Sequence, residues 1–172
     1  MRKKSQNKFE VLFVCTGNTC RSPTSEGILK KLLTEKKVKG VRVSSAGTHG
    51  LLSAPASLFA VEVARARNVD LSGHCSRELS GKMLHQADLI LVMSEEHLDH
   101  IERFDREARQ KAHLLKAFPQ SHPASNEGQN GGVLSIKDPI GGSLEDYEHS
   151  FLEIEREIKR ILPELLRLAN KS

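Results

Sequence analysis

Apolar residues gather first in Glu10-Val-Leu-Phe-Val-Cys15, a near-continuous run that stops at polar Thr16 and Gly17. A short run without polar alternation is the pattern of a strand covered on both faces of a parallel sheet. Beyond Ser22 and Pro23 the period changes, with Ile28, Leu29, Leu32 and Leu33 on one helical face and Lys30, Lys31 and Lys36 elsewhere. Ser22 suits the N-cap of that helix and Pro23 its first position. Val41-Arg-Val-Ser-Ser45 predicts a second strand running into Ala46-Gly47, and Pro55 opens an alanine-rich helix to about Asn68. Asp88-Leu-Ile-Leu-Val-Met93 repeats the buried-strand pattern, followed by a charged helix from Ser94 to about Arg109. Phe151, Ile154, Ile158, Ile161 and Leu165 mark a last helix, which Pro163 kinks or divides.

Strands alternating with helices predict an α/β fold with a parallel sheet and right-handed crossovers. At 172 residues, 38% hydrophobic and 28% charged, the chain suits one well-buried domain. That domain is expected over 9–170, behind a basic tail at 1–8, with a long mobile loop at 119–135 rich in Ser, Asn, Gln, Gly and Pro. No apolar run is long enough to span a membrane, and the stretch after the basic N-terminus is too short for a signal peptide, so a soluble, unexported protein is expected. Three cysteines, Cys15, Cys20 and Cys75, in a chain too large to need disulfide staples point to thiol chemistry in a reducing compartment, the cytoplasm. A net charge of +4 is interleaved with acidic residues rather than blocked, and one Tyr with no Trp leaves few platforms for bases. Neither nucleic acid nor a membrane is an expected partner.

Chemistry concentrates in Cys15-Thr-Gly-Asn-Thr-Cys-Arg21-Ser22, where the first strand gives way to a helix. Anions collect beyond the carboxyl ends of parallel strands, and a helix N-terminus adds free N–H groups and a partial positive charge. Cys15 and Arg21 bracket a loop that curls around a tetrahedral oxyanion, with Thr16, Gly17, Asn18, Thr19 and Cys20 supplying a nest of backbone amides and Arg21 a bidentate fork. Gly17 and Asn18 tolerate the backbone conformations such a curl needs. The same environment favours the thiolate, so Cys15 is placed to attack phosphorus. Ser22 can donate to that sulfur and help it leave. A carboxylate must then protonate the leaving atom and activate water; Asp138, in Lys137-Asp-Pro-Ile-Gly-Gly142, is the candidate. A buried structural cysteine in an ordinary turn is the bland alternative, and the surrounding Gly, Asn, Ser-Pro and late Asp-Pro argue against it.

At these residues the sequence resembles the low-molecular-weight protein tyrosine phosphatase family. The likeness runs from Cys15–Pro23 through Ser44-Ser-Ala-Gly47, His74 with Arg77 and Asp88 to Met93, to Asp138-Pro139. It implies a three-layer domain with a four-stranded parallel sheet flanked by helices and the phosphate loop between the first strand and first helix. It also implies no metal or cofactor, Cys15 as nucleophile, Arg21 as phosphate ligand, Asp138 as acid and base, and a supporting network of Asn18, Ser22, Ser45 and His74. A phosphorylated protein or peptide is the implied partner, and the chain is expected to be a monomer or weak dimer.

Two departures bear on substrate. Aromatic side chains usual in phosphotyrosine members are absent from Asp138-Pro-Ile-Gly-Gly-Ser143 and from Thr48-His-Gly-Leu-Leu52, unless Phe59, Phe118 or Tyr147 replaces them. Thr19 stands where tyrosine-specific members carry a bulky aliphatic residue. Thr19 together with the Asp138-Pro-Ile-Gly-Gly-Ser143 turn resembles the bacterial protein-arginine phosphatase branch, and a hydroxyl suits a polar phosphoguanidinium, which favours phosphoarginine over phosphotyrosine. A thioredoxin-coupled arsenate reductase needs a later cysteine pair that 94–109 lacks, which leaves Cys75 a packed or incidental thiol. A phosphoprotein-binding module without turnover would not need Cys15, Arg21 and Asp138 together. Cys15 and Cys20 share one loop and either form a protective disulfide or leave Cys20 as a small filler. His97 and His100 read as a solvated helical face, and Glu145, Asp146 and Glu148 as charges complementing a helix dipole.

Overall fold

Phe9–Cys15 forms β1 at the centre of the sheet, in a computed structural model that describes residues 8–119 and 134–171. β1 pairs in parallel with β2, Val41–Gly47, on one side and with β3, Leu89–Val92, on the other. A fourth strand, β4 at Ala112–Leu114, adds to β3 and completes the parallel order β2-β1-β3-β4. The helices are α1 Arg21–Glu35, α2 Leu58–Ala66, α3 Gly81–Gln86, α4 Glu95–Phe104, α5 Arg106–Arg109 and α6 Leu144–Ala169.

Alternation along β1 divides its side chains between two cores. Val11, Phe13 and Cys15 pack with Ile28 and Leu29 of α1, Val63 of α2, and Phe151, Ile154, Ile158, Ile161 and Leu165 of α6. Leu12 and Val14 face Leu84 of α3, Ile101 of α4 and Ala108 of α5. Both faces of the sheet are covered, which is why β1 reads as a continuous apolar run; each large side chain so buried contributes about 1.5–3 kcal/mol. The three-layer α/β architecture is the one expected.

Several boundaries differ from the sequence reading. α1 starts at Arg21 with Cys20 as its N-cap residue, so Ser22 and Pro23 lie inside the first turn. The Ser22 hydroxyl caps nothing because it is engaged by Cys15 and Asn18. α2 begins at Leu58, after Ser57, rather than at Pro55, and ends at Ala66. The predicted helix from Ser94 to Arg109 is two helices, because Asp105 leaves helical geometry and its Oδ1 accepts from the Glu107 and Ala108 amides 3.0 Å away to start α5. α6 runs through Pro163 without division, and that residue is exposed, so the carbonyl left unpartnered a turn earlier, on exposed Lys159, faces water. Cys75 is exposed rather than packed. Apart from Lys8, Pro119, Leu134 and Ser135, the basic tail at 1–8 and the loop at 119–135 lie outside the described residues. Among the described residues no helix is long and apolar enough to cross a membrane.

Candidate active site

Between the end of β1 at Cys15 and the start of α1 at Arg21, residues 16–20 turn the chain at the carboxyl edge of the sheet. Asn18 takes the left-handed conformation, φ +55°, that the curl requires and that Asn tolerates better than most residues. Gly47, paired with Cys15 in β2, admits the loop because a Cβ there would strike the Thr16 carbonyl oxygen and crowd the Asn18 amide.

The Asn18 side chain organises the interior. Its Nδ2 donates to Ser22 Oγ and Ser45 Oγ, both at 2.9 Å, and its Oδ1 accepts from Arg77 N at 3.0 Å. Ser45 Oγ donates to Glu26 Oε2, 2.6 Å away, and His74 Nε2 reaches the Asn18 carbonyl at 2.7 Å. Because Ser22 Oγ accepts from Asn18, its own hydrogen is free for Cys15 Sγ at 2.9 Å, the alternative acceptor Ala46 O being 3.4 Å away. The structure thus joins Cys15, Asn18, Ser22, Ser45 and His74. Glu26, which closes this chain and is salt-bridged to Lys30 at 2.5 Å, was not singled out in the sequence; its one signal is its place a helical turn beyond Ser22.

Arg21 is 4% exposed. Its Nη1 donates to Ile136 O at 3.1 Å, and its Nη2 forms an ion pair with Asp138 Oδ2 and lies 3.5 Å from Thr16 Oγ1. Asp138 Oδ1 accepts from Ile140 N, and the turn closes with Gly142 N donating to Pro139 O. Gly141, φ +75°, supplies the positive φ that a turn of type II needs at its third position. The candidate phosphate clamp and the candidate acid are therefore in direct contact. Ile136 N donates to Met93 O at 2.7 Å, which holds the acid segment against the end of β3.

Thr19 is largely buried and its carbonyl accepts from Ser57 N at 2.8 Å. Cys15 and Cys20 are both buried free thiols. Burial, then Cys15 and Asp138, push the Cys20 thiol up to about 12, so it stays protonated at neutral pH. Among the proposed substitutes for the missing aromatics, Phe118 is buried against His113, whereas Phe59 meets Tyr147 edge-on at 5.5 Å beside the loop-facing end of α2. Leu51, Leu52 and Ile140 are exposed on the two segments where aromatics are missing.

His97 corrects the solvated-face reading. It is 2% exposed, its Nδ1 accepts from Ser94 N at 3.1 Å, and its Nε2 lies 3.0 Å from Thr16 Oγ1; His100 instead stacks on Phe104. Among the described residues no group of three or more His, Cys, Asp or Glu is arranged to hold a metal.

The Low molecular weight phosphotyrosine protein phosphatase model matches residues 10–171. The chain belongs to that family. Membership makes it a cysteine-dependent phosphatase. It is 38% identical over 153 residues to the low molecular weight protein-tyrosine-phosphatase Etp of Escherichia coli (strain K12), an alignment covering 88% of this chain and 92% of that relative. The YwlE arginine phosphatase from Geobacillus stearothermophilus superposes with a TM-score of 0.79 at 31% identity, covering 95% of this chain and 96% of that one. A cysteine-to-serine mutant of a YwlE arginine phosphatase, with its active-site serine phosphorylated, superposes with a TM-score of 0.76 at 29% identity over 95% of both chains.

Acid should loosen this family member in a defined window. Burial first, then Arg21, His100 and His49, push the His97 imidazole down to about 4. The unfolded chain takes up that proton near its ordinary value of about 6.5, so stability is complete above that pH and declines as pH falls toward 4, by about 3 kcal/mol for this group. Burial shifts His100 and His113 in the same direction. Urea unfolding at about pH 7.5 and about pH 4.5 is expected to show this loss, and His97→Gln to reduce it; an equal loss in both proteins would contradict the assignment.

Proposed function

We propose that the chain is a protein phosphatase working through a phospho-cysteine intermediate, with phosphoarginine preferred over phosphotyrosine. One observation supports the mechanism: at the turn between β1 and α1 the Ser22 hydroxyl directs its hydrogen at Cys15 Sγ, while Arg21, at the other end of the same loop, is paired with Asp138. In the first step the Cys15 thiolate forms an S–P bond, the P–N or P–O bond to the side chain breaks, and Asp138 gives its proton to the departing atom. The backbone amides of residues 16–20 and the Arg21 guanidinium stabilise the equatorial oxygens. In the second step Asp138 takes a proton from water, whose oxygen bonds to phosphorus as the S–P bond breaks, and the Ser22 hydroxyl receives the thiolate. Phosphate leaves with the enzyme restored.

Thr19 and the lack of aromatics at 48–52 and 139–143 support phosphoarginine, because a polar, planar leaving group is served by a hydroxyl and needs no aromatic sandwich. Phosphotyrosine is the second reading, favoured by the 38% identity to Etp and by the Phe59–Tyr147 pair. The substrate is a phosphorylated protein or peptide, handled in a reducing compartment suited to the Cys15 thiol. Turnover of phosphoarginine and phosphotyrosine peptides separates the readings. Wild type is expected to favour phosphoarginine by about 10-fold or more in kcat/KM, and Thr19→Ile to reverse much of that ratio. A phosphotyrosine preference unmoved by the substitution would reject the arginine reading.

A further inference from the structure

Thr16 is tied to two parts of the fold by one oxygen. Its Oγ1 lies 3.0 Å from His97 Nε2 and 3.5 Å from Arg21 Nη2. The hydrogen on the His97 ring follows from its partners. Ser94 N and Ser94 Oγ lie 3.1 and 3.0 Å from Nδ1; the backbone N–H can only donate, so Nδ1 is the bare acceptor, the Ser94 hydroxyl donates to it as well, and Nε2 carries the hydrogen. Burial beside Arg21 keeps the ring neutral near pH 7. His97 Nε2 and Arg21 Nη2 are thus both donors to Thr16 Oγ1 and occupy its two lone pairs. The hydroxyl's own hydrogen must turn away from both, and Thr16 is exposed.

We propose that His97 is a positioning residue for the phosphate site: it fixes the Thr16 hydroxyl beside Arg21, which aims the guanidinium and leaves the hydroxyl hydrogen for a phosphoryl oxygen. The inference rests on the phosphatase reading above. It assigns His97 two separable bonds, one that caps α4 through Nδ1 and one that reaches Thr16 through Nε2. Asparagine keeps an acceptor near the place of Nδ1 and is too short for Thr16. Glutamine keeps an N–H near the place of Nε2 and surrenders the cap.

The test compares His97→Asn, His97→Gln, Thr16→Val and the His97→Asn/Thr16→Val double variant, reading kcat/KM on a phosphorylated peptide, the Kd of inorganic phosphate and the melting temperature. His97→Asn is expected to melt close to wild type, lose about 10-fold in kcat/KM and bind phosphate correspondingly more weakly. His97→Gln should recover most of the rate while melting a few degrees lower, by roughly the worth of a helix cap. Thr16→Val should lose as much as His97→Asn, with the double variant no worse than either. Full activity in His97→Asn, losses that multiply in the double variant, or rates that follow melting temperature would each overturn the proposal. A wild type that binds phosphate without turning over any phosphopeptide would sink the phosphatase reading instead, and the phosphate Kd series alone would then decide this one.

Discussion

Cys15→Ala is expected to lower kcat on any phosphorylated peptide by at least about 10⁴-fold, the scale on which removal of a covalent nucleophile acts. Phosphate affinity should change far less, because the amides of residues 16–20 and Arg21 make the anion site without the sulfur. Steady-state turnover and calorimetric titration with inorganic phosphate measure the two effects separately. The asymmetry is what matters: a side chain that only packed the core below the loop would, when shortened, weaken binding and rate together. Cys15→Ser is a poorer choice for this purpose, since a serine in that place is an oxygen nucleophile with Asn18 and Ser22 still around it. Turnover that survives in the alanine variant, or that depends on an added divalent metal, would contradict the mechanism.

Asp138→Asn is expected to act in opposite directions on rate and binding. Loss of the proton donor and of the base that activates water should lower kcat by about 10²–10⁴-fold on a phosphopeptide. On an aryl phosphate whose leaving group departs unprotonated, the first step should suffer much less than hydrolysis of the phospho-enzyme, so a burst of released alcohol should become visible. Arg21 is held by Asp138 Oδ2 and by Ile136 O, and an arriving phosphate dianion has to compete with that carboxylate for the guanidinium. Removing the charge should therefore tighten phosphate binding several-fold at low ionic strength. Weaker binding with an unchanged rate would show that the Arg21–Asp138 pair is structural and that the acid lies elsewhere.

What the sequence disclosed follows the strength of each local signal. β1 and β3 were legible because buried central strands carry no polar positions, and α6 because its apolar residues hold helical spacing for many turns. β4 and α3 were missed because three and six residues are too few for a period to emerge. Asp105 was readable as a cap, yet the charged pattern on either side of it continues the same helical spacing, so the break was hidden. At the site, Cys15, Arg21 and Asp138 were evident from their types and setting. Of the two tasks the sequence offers Ser22, N-cap and donor to the Cys15 sulfur, only the second is found, because the hydroxyl is taken by sulfur and amide. The nearness of His97 to His100 suggests a solvated face; its spacing from buried Ile101, one turn on, is the better guide, since both face inward.

A covalent bond between phosphorus and Cys15 is the step on which the whole mechanism depends. Rapid quenching of the Asp138→Asn variant during turnover of an aryl phosphate whose leaving group departs unprotonated, followed by peptide mass spectrometry under conditions that spare thiophosphates, looks for that bond. The predicted result is one phosphoryl group on the peptide bearing Cys15, accumulating as the substrate is consumed and absent from Cys15→Ala. Substrate consumed with no phosphoryl group on Cys15, or with the label on another residue, would contradict it.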